Sequence, residues 1–314
     1  MTNPAIASDT LSFSGLRLSP TQSGIALGLF AAAIWGSYLA LSRAGITSGL
    51  QASDIAFIRY GVAGLIMLPW LLRNGPTDLA GVGWRRSAML TLLVGPPFIL
   101  IGVGGYTFAP LAHGAVVQPA ALTIGGLVLA MIVLRDRPTA ARIAGTAVIL
   151  AGLAVIAGPG LLTGDAMTSI GDAMFAAAGL MWAAFSVLQR RWSLNPLQAT
   201  AAVSVLSALV YVPVHLWMTG IDRLAALPLP MLATQILVQG VLSGVVAVIA
   251  FSRAVQLLGA SRAAAFPALV PAVAILIGVP VTGEIPTALQ AGGLVLVTLG
   301  LLFAVGVVKL KARS

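Results

Sequence analysis

Three polar residues recur every four positions in an otherwise apolar stretch: Gln235, Gln239 and Ser243 in "QILVQGVLSG", followed at once by Gly244. At that spacing they share one helical face. Glutamine offers both a donor and an acceptor, so the stripe suits a zwitterion or an amide better than a cation. The same groups also serve helix-to-helix hydrogen bonding, and both readings stand. Arg59 lies inside the apolar run 52–72, where it has three options: snorkelling, pairing with Asp54, or receiving a substrate carboxylate. Trp35 and Tyr38 in one run, with Trp182, Phe185 and Ser186 in another, sit far from the run ends where tryptophan usually anchors. An indole at that depth needs a partner for its N–H, and we read the two tryptophans as lining a pathway.

Catalytic chemistry is not written here. There is no cysteine, no HExxH and no pair of carboxylates within an apolar run, and the two histidines, His113 and His215, fall near run ends. No cofactor or metal is implied. His113 reads as an interfacial or capping residue in preference to a proton carrier. The eight acids, Asp9, Asp54, Asp78, Asp136, Asp165, Asp172, Asp222 and Glu284, all fall in tails, loops or helix ends. A carrier without a buried carboxylate is expected to move substrate down its own gradient, with Asp54 and His113 as the residues that could overturn this.

The elements that must hold these groups are membrane helices. Only 8% of residues are charged and mean hydropathy is +1.03, against about 25% charged in soluble domains. Runs of the ~20 residues that cross a hydrocarbon core fall at 21–42, 52–72, 86–108, 111–134, 139–157, 170–189, 197–218, 231–252, 260–281 and 287–308. The third run contains Gly95, Pro96 and Pro97, then "GVGGY" ending at Tyr106. Irregular backbone in a membrane is tolerated where protein or a water-filled cavity satisfies it, so this segment points to the pathway. Gln118 and Pro119 in the fourth run match Phe266 and Pro267 in the ninth, with Pro271 beyond. Pro96, Pro119, Gly244, Pro267 and Pro271 are expected to bend or hinge the helices that carry them.

Basic residues decide orientation. With the N-terminus on one side, that side collects Arg17, Arg73, Arg85, Arg86, Arg135, Arg137, Arg142, Arg190, Arg191, Arg253, Arg262, Lys309, Lys311 and Arg313, leaving Arg43 and Arg223 opposite. The positive-inside rule then makes both termini cytoplasmic. It also explains the net charge of +9 without any nucleic acid. Residues 1–20 read as a polar tail, not a cleaved signal peptide, because the following apolar run has a counterpart in mid-chain.

That counterpart belongs to a duplication. "AAAIWGSYLALSR" falls on "AGLMWAAFSVLQR" at a shift of 147, matching Trp35 to Trp182, Tyr38 to Phe185 and Arg43 to Arg190. At a shift of 148, Pro119 meets Pro267, Asp136 meets Glu284, Pro138 meets Pro286, Gly145 meets Gly293 and Gly152 meets Gly300. We divide the chain into a tail (1–20), a first five-helix repeat (21–158), a periplasmic linker (159–169), a second five-helix repeat (170–308) and a tail (309–314). Five spans is an odd number, so the halves must be inverted. Two such halves can exchange conformations and open a midplane site to each face in turn. Asp136 and Glu284 read most simply as partners of helix N-terminal dipoles, with Pro138 and Pro286 starting those helices.

Two five-span repeats, each opening on a Trp-bearing helix and closing on a helix, acidic turn, Pro and Gly-spaced helix, resemble the drug/metabolite transporter superfamily in its EamA-type branch. The resemblance covers about residues 21–308. Around Trp182 and Pro119 the chain is similar to aromatic amino-acid exporters, but Gln118 stands before the proline, where an aromatic residue can occur in that group. The resemblance implies an all-α integral membrane protein of ten transmembrane helices, exporting amino acids and related small metabolites across the cell inner membrane. The alternative is a drug, nucleotide-sugar-like or lipid-linked cargo. Doubly anionic cargo would call for several buried cations, and only Arg59 qualifies. The expected partners are a small-molecule substrate and the lipid bilayer, with no nucleic acid, and a monomer is compatible with the sequence.

Overall fold

The structure, a computed structural model, describes residues 12–13, 16–17, 19–163, 166–259, 263 and 266–304. The expected C-terminal tail 309–314, most of the N-terminal tail, and Asp9, Asp165 and Arg262 lie outside the described residues. Apart from a small hairpin, β1 (Ser12–Phe13) against β2 (Leu16–Arg17), the described chain is helical.

Helix α1 spans Pro20–Thr47. It starts where Ser19 Oγ accepts from the Gln22 amide while the Gln22 side chain accepts from the Ser19 amide, with proline at the first helical position; those contacts satisfy two of the otherwise orphaned N–H groups. Next come α2 (Ala52–Arg73), α3 (Trp84–Val94), α4 (Pro96–Gly102) and α5 (Leu111–Leu134). The first half closes with α6 (Ala140–Thr163). The second half opens with α7 (Ala166–Arg191) and α8 (Pro196–Met218), then a short α9 (Asp222–Ala225) and α10 (Leu229–Gln235). Helix α11 is Ala247–Leu258, α12 is Val270–Thr282 and α13 is Ala288–Ala304.

Among the described residues seven helical segments are long and apolar enough to cross a membrane, and three shorter apolar helices, Ala140–Ile156, Pro267–Thr282 and Ala288–Phe303, occupy the fifth, ninth and tenth expected runs. Helices α6 and α7 extend into 159–169, the range expected as a linker, so the helical ends lie much closer together than the sequence reading had them.

Three irregularities bear on the site. The third run breaks at Gly95, whose amide bonds back to the Thr91 carbonyl, before Pro96 starts α4; a 3-10 turn, Gly104–Thr107, ends it. The eighth run is not a plain α-helix: between α10 and α11 the backbone is a π-helix over Ile236–Val246, carrying Gln239, Ser243 and Gly244. The prolines of the two halves also behave differently. Pro119 sits inside an unbroken α5, whereas Pro267 lies in a 3-10 turn, Pro267–Leu269, and Pro271 falls in the first turn of α12. For these last two the expected mid-helix bend is therefore replaced by a helix start, the position where proline's missing N–H is harmless.

Packing runs mainly between the halves. Helix α6 lies along α13, α5 along α7, α2 along α8, and α1 along both α11 and α12. The α6–α13 pair is closed by the repeated glycines: a Cβ on Gly293 would stand 2.8 Å from the Gly152 carbonyl oxygen, and one on Gly300 would stand 2.8 Å from the Gly145 carbonyl. In lipid, where helices gain little by hiding apolar surface, such small-residue crossings let backbones approach and pack. The main core lies between α1, α2, α4, α5, α7 and α8 and includes Ile55, Phe98, Tyr106, Leu111 and Phe175.

Candidate functional site

A buried polar seam joins α1, α2 and the π-helix. Arg59 Nη1 donates to Ser243 Oγ at 2.8 Å, and its guanidinium lies 5.0 Å from the centre of the Tyr38 ring. Gln239 Nε2 donates to Ser42 Oγ at 3.1 Å and to Gln235 Oε1 at 3.2 Å. Gln235 Nε2 in turn donates to the Leu41 carbonyl at 2.8 Å, and Ser42 Oγ to the Tyr38 carbonyl at 2.7 Å. Gln239 is fully buried, yet its Oε1 has no hydrogen-bond partner among the described residues.

Arg59 is only 9% exposed, and among the described residues no carboxylate comes within ion-pair distance of it. The expected alternative partner, Asp54, is occupied elsewhere. It accepts from Arg223 Nε at 2.8 Å and Nη2 at 3.1 Å, and it caps its own helix through the Gln51 amide. The hydrogen bonds to Asp54 raise the pKa of the Arg223 guanidinium above its ordinary value. His215 Nε2 lies 3.5 Å from Asp54 without a hydrogen bond, its ring stacked 4.7 Å from Phe57. A guanidinium left without an anion inside a membrane helix is costly, and such residues usually face a ligand path. Its planar fork of donors matches a carboxylate.

The other residues singled out in the sequence fall into a second group. Trp182 packs against Phe98 at 5.3 Å and Phe185 at 5.8 Å, and Ser186 Oγ donates back to the Trp182 carbonyl. Pro97 is half-buried in the first turn of α4, and Gln118 lies near Gly102 at its end. Tyr106 packs at a tilt against Phe175 with ring centres 4.8 Å apart, its buried hydroxyl without a partner among the described residues. Trp35 packs on Phe251 at 5.3 Å. The structure therefore brings Tyr38, Arg59, Gln239 and Ser243 together, with Gly244 in the same π-helix. Phe266 stands apart. It packs against Gly28, ten positions before Tyr38 and so roughly 15 Å along α1.

Sequence reasoning missed Ser42, which bonds to Gln239, and Tyr60, whose hydroxyl donates to the Val94 carbonyl at 2.6 Å just before the Gly95 break. It also assigned the duplicated acids to helix dipoles. Both also form ion pairs, Glu284 with Arg43 and Asp136 with Arg190, and Glu284 Oε2 accepts from the Leu111 amide at the start of α5. The matched arginines of the repeat were the available signal. His113 is held by Asp172, its Nδ1 being 2.9 Å from Oδ1.

Two depressions flank these groups. A cleft of about 310 Å³ beside Gln235 is lined by Leu41, Ala44, Ser48, Met231, Thr234 and Val281. A larger groove of about 620 Å³ between α2, α8 and α10 is lined almost wholly by aliphatic and aromatic residues such as Phe57, Leu65, Val212 and Ile236, and takes in no member of the seam.

The model of the EamA-like transporter family matches the chain twice, over residues 22–158 and 169–306. The chain belongs to the EamA-like transporter family. This EamA-like protein is accordingly a multi-pass membrane transporter of small molecules, built of two family repeats, and the family is one of transporters, not enzymes. A solved structure titled only as the crystal structure of a protein superposes with a TM-score of 0.61, covering 90% of this chain and 96% of its own, at 18% identity. That likeness concerns the fold alone. No curated protein matches the chain.

Proposed function

We propose that this EamA-like transporter exports amino acids and related small metabolites across the cell inner membrane, with a substrate path between its two repeats. The observation that carries the reading is the Arg59 guanidinium beside Ser243, without a carboxylate partner among the described residues, with Gln239 Oε1 in the same seam also without a partner among them. A donor fork for a carboxylate and a carbonyl oxygen for an ammonium group are the two ends an α-amino acid needs. Trp35, Trp182, Ser186, Pro97, Tyr106 and Gln118 supply the walls of the path, and Pro96, Pro119 and Gly244 its hinges.

Ten spans in two inverted halves give the mechanism. The pairing of α1 with α11 and of α7 with α4 supports this reading, since each joins the Trp-bearing helix of one half to the corresponding run of the other. Both termini lie in the cytoplasm by the charge argument, so Arg43, Asp54, His113 and Glu284 face outward and Asp136 and Arg190 inward. The seam is closed in this conformation and opens to each face in turn.

Counterflow in proteoliposomes tests the proposal. Internal unlabelled amino acid should accelerate uptake of the same labelled amino acid. Absence of flux or binding across a panel of amino acids would end the assignment, and flux of lipophilic drugs or nucleotide sugars in their place would move it to the alternative cargo.

A further inference from the structure

Exchange of the two repeats carries Arg43 onto Arg190 and Glu284 onto Asp136. The structure contains both ion pairs, Arg43 with Glu284 and Arg190 with Asp136, and each crosses from one half to the other. The turns that present the acids are also alike. Arg135, before Asp136, has φ 56°, and Gly283, before Glu284, has φ 72°, both in the left-handed region that ends a helix. One contact has thus been written twice, once at each end of the bundle.

The two copies are in different conditions. Arg43 places Nε at 2.6 Å and Nη2 at 2.5 Å from Glu284 Oε1, while its Nη1 donates to the Tyr106 carbonyl. Glu284 Oε2 accepts from the Leu111 amide at 2.9 Å. The pair therefore fastens α1, the 3-10 turn after α4, the start of α5 and the α12–α13 turn, with side chains 18% and 27% exposed. Among the described residues the Arg190 side chain makes one polar contact, Nη1 to Asp136 Oδ2 at 2.7 Å, with side chains 62% and 30% exposed. Asp136 is also flanked by Arg135 and Arg137, whereas Glu284 stands between Gly283 and Ile285. Exposed pairs are screened and weak, and half-buried ones with extra hydrogen bonds are not.

We infer that Arg43–Glu284 and Arg190–Asp136 are two copies of one gate latch, tightened alternately: both are made in this conformation, the first through several partly buried contacts and the second through one more exposed contact, and the second tightens when the first opens. The inference rests on the alternating-access reading. It assigns gating, not substrate contact, to all four residues.

The chain has no cysteine, so a single introduced thiol can report each gate. Ala40 is fully buried one turn before Arg43, and Val187, its counterpart at a shift of 147, is 7% exposed one turn before Arg190. With Ala40→Cys or Val187→Cys in the full chain in lipid nanodiscs, a charged maleimide reads gate opening from its labelling rate. Glu284→Gln should speed labelling at position 40 about tenfold and slow it at 187, the response of a two-state equilibrium losing one latch. Asp136→Asn should act in the opposite sense and more weakly. The swap Arg43→Glu with Glu284→Arg should bring labelling at 40 back to within about twofold of the parent. Unchanged rates with Glu284→Gln, a parallel rise at both reporters, or a monodisperse swap that leaves position 40 fast would each overturn the inference. Should Glu284→Gln fail to fold, Arg43→Gln and the swap make the same comparison. Labelling needs no substrate, so missing amino-acid flux with opposed labelling responses would remove the proposed cargo and leave the latch. Normal flux with unresponsive labelling would do the reverse.

Discussion

At the scale of single residues, Arg59 decides most. Its place inside an apolar run was legible as an anomaly in the sequence, but the choice among snorkelling, Asp54 and substrate was not. That choice depends on Arg223, 169 positions away from Asp54, which occupies the carboxylate. If the guanidinium receives a substrate carboxylate, Arg59→Lys keeps the charge and loses the planar fork, costing about 1.5–3 kcal/mol. The expected result is a rise in KM of roughly ten- to a hundredfold in counterflow, with the variant monodisperse. An amide analogue lacking the carboxylate should show no such difference between parent and variant. Equal KM values for the amino acid would remove Arg59 from the site.

At the scale of elements, the sequence placed the apolar runs and their breakers, and the structure altered what some of them do. Gln235, Gln239 and Ser243 share a face as the spacing implies, yet the backbone beneath Gln239 and Ser243 is a π-helix, a form often found at functional sites. Nothing in a four-residue spacing distinguishes π from α. The repeated glycines acquire a role only once α6 meets α13. Gly293→Ala should lower stability by about 1–3 kcal/mol, because its Cβ would press on the Gly152 carbonyl and Ile156. Gly292→Ala meets nothing within 4 Å and should be neutral or stabilising by up to ~1 kcal/mol. Thermal unfolding in one detergent compares the two, and equal midpoints would mean that the crossing is looser than described.

At the scale of the whole molecule, the question is what drives transport. Among the described acids, Asp54 is neutralised by Arg223, Asp172 is joined to His113, and Asp136 and Glu284 are held in the latches. None stands beside Arg59 in the seam. Flux should therefore follow the substrate gradient: collapsing an imposed pH or sodium gradient across sealed proteoliposomes should leave rate and endpoint nearly unchanged. Accumulation against the gradient, driven by either ion, would contradict this and direct attention to the His113–Asp172 and His215–Asp54 neighbourhoods.

What the sequence determined by itself is whatever depends on composition, period and internal repetition: membrane helices, two related halves, the breakers at Gly95 to Pro97 and the polar face of the eighth run. These follow from the cost of polar groups in lipid, which each residue meets locally. Only the tertiary structure decided which charges meet, and so that each duplicated acid is one side of an ion pair between the halves. Arg43 and Glu284 are 241 positions apart. Coulomb attraction falls off with distance in space and is indifferent to separation along the chain, so the pairing existed only once both halves had packed.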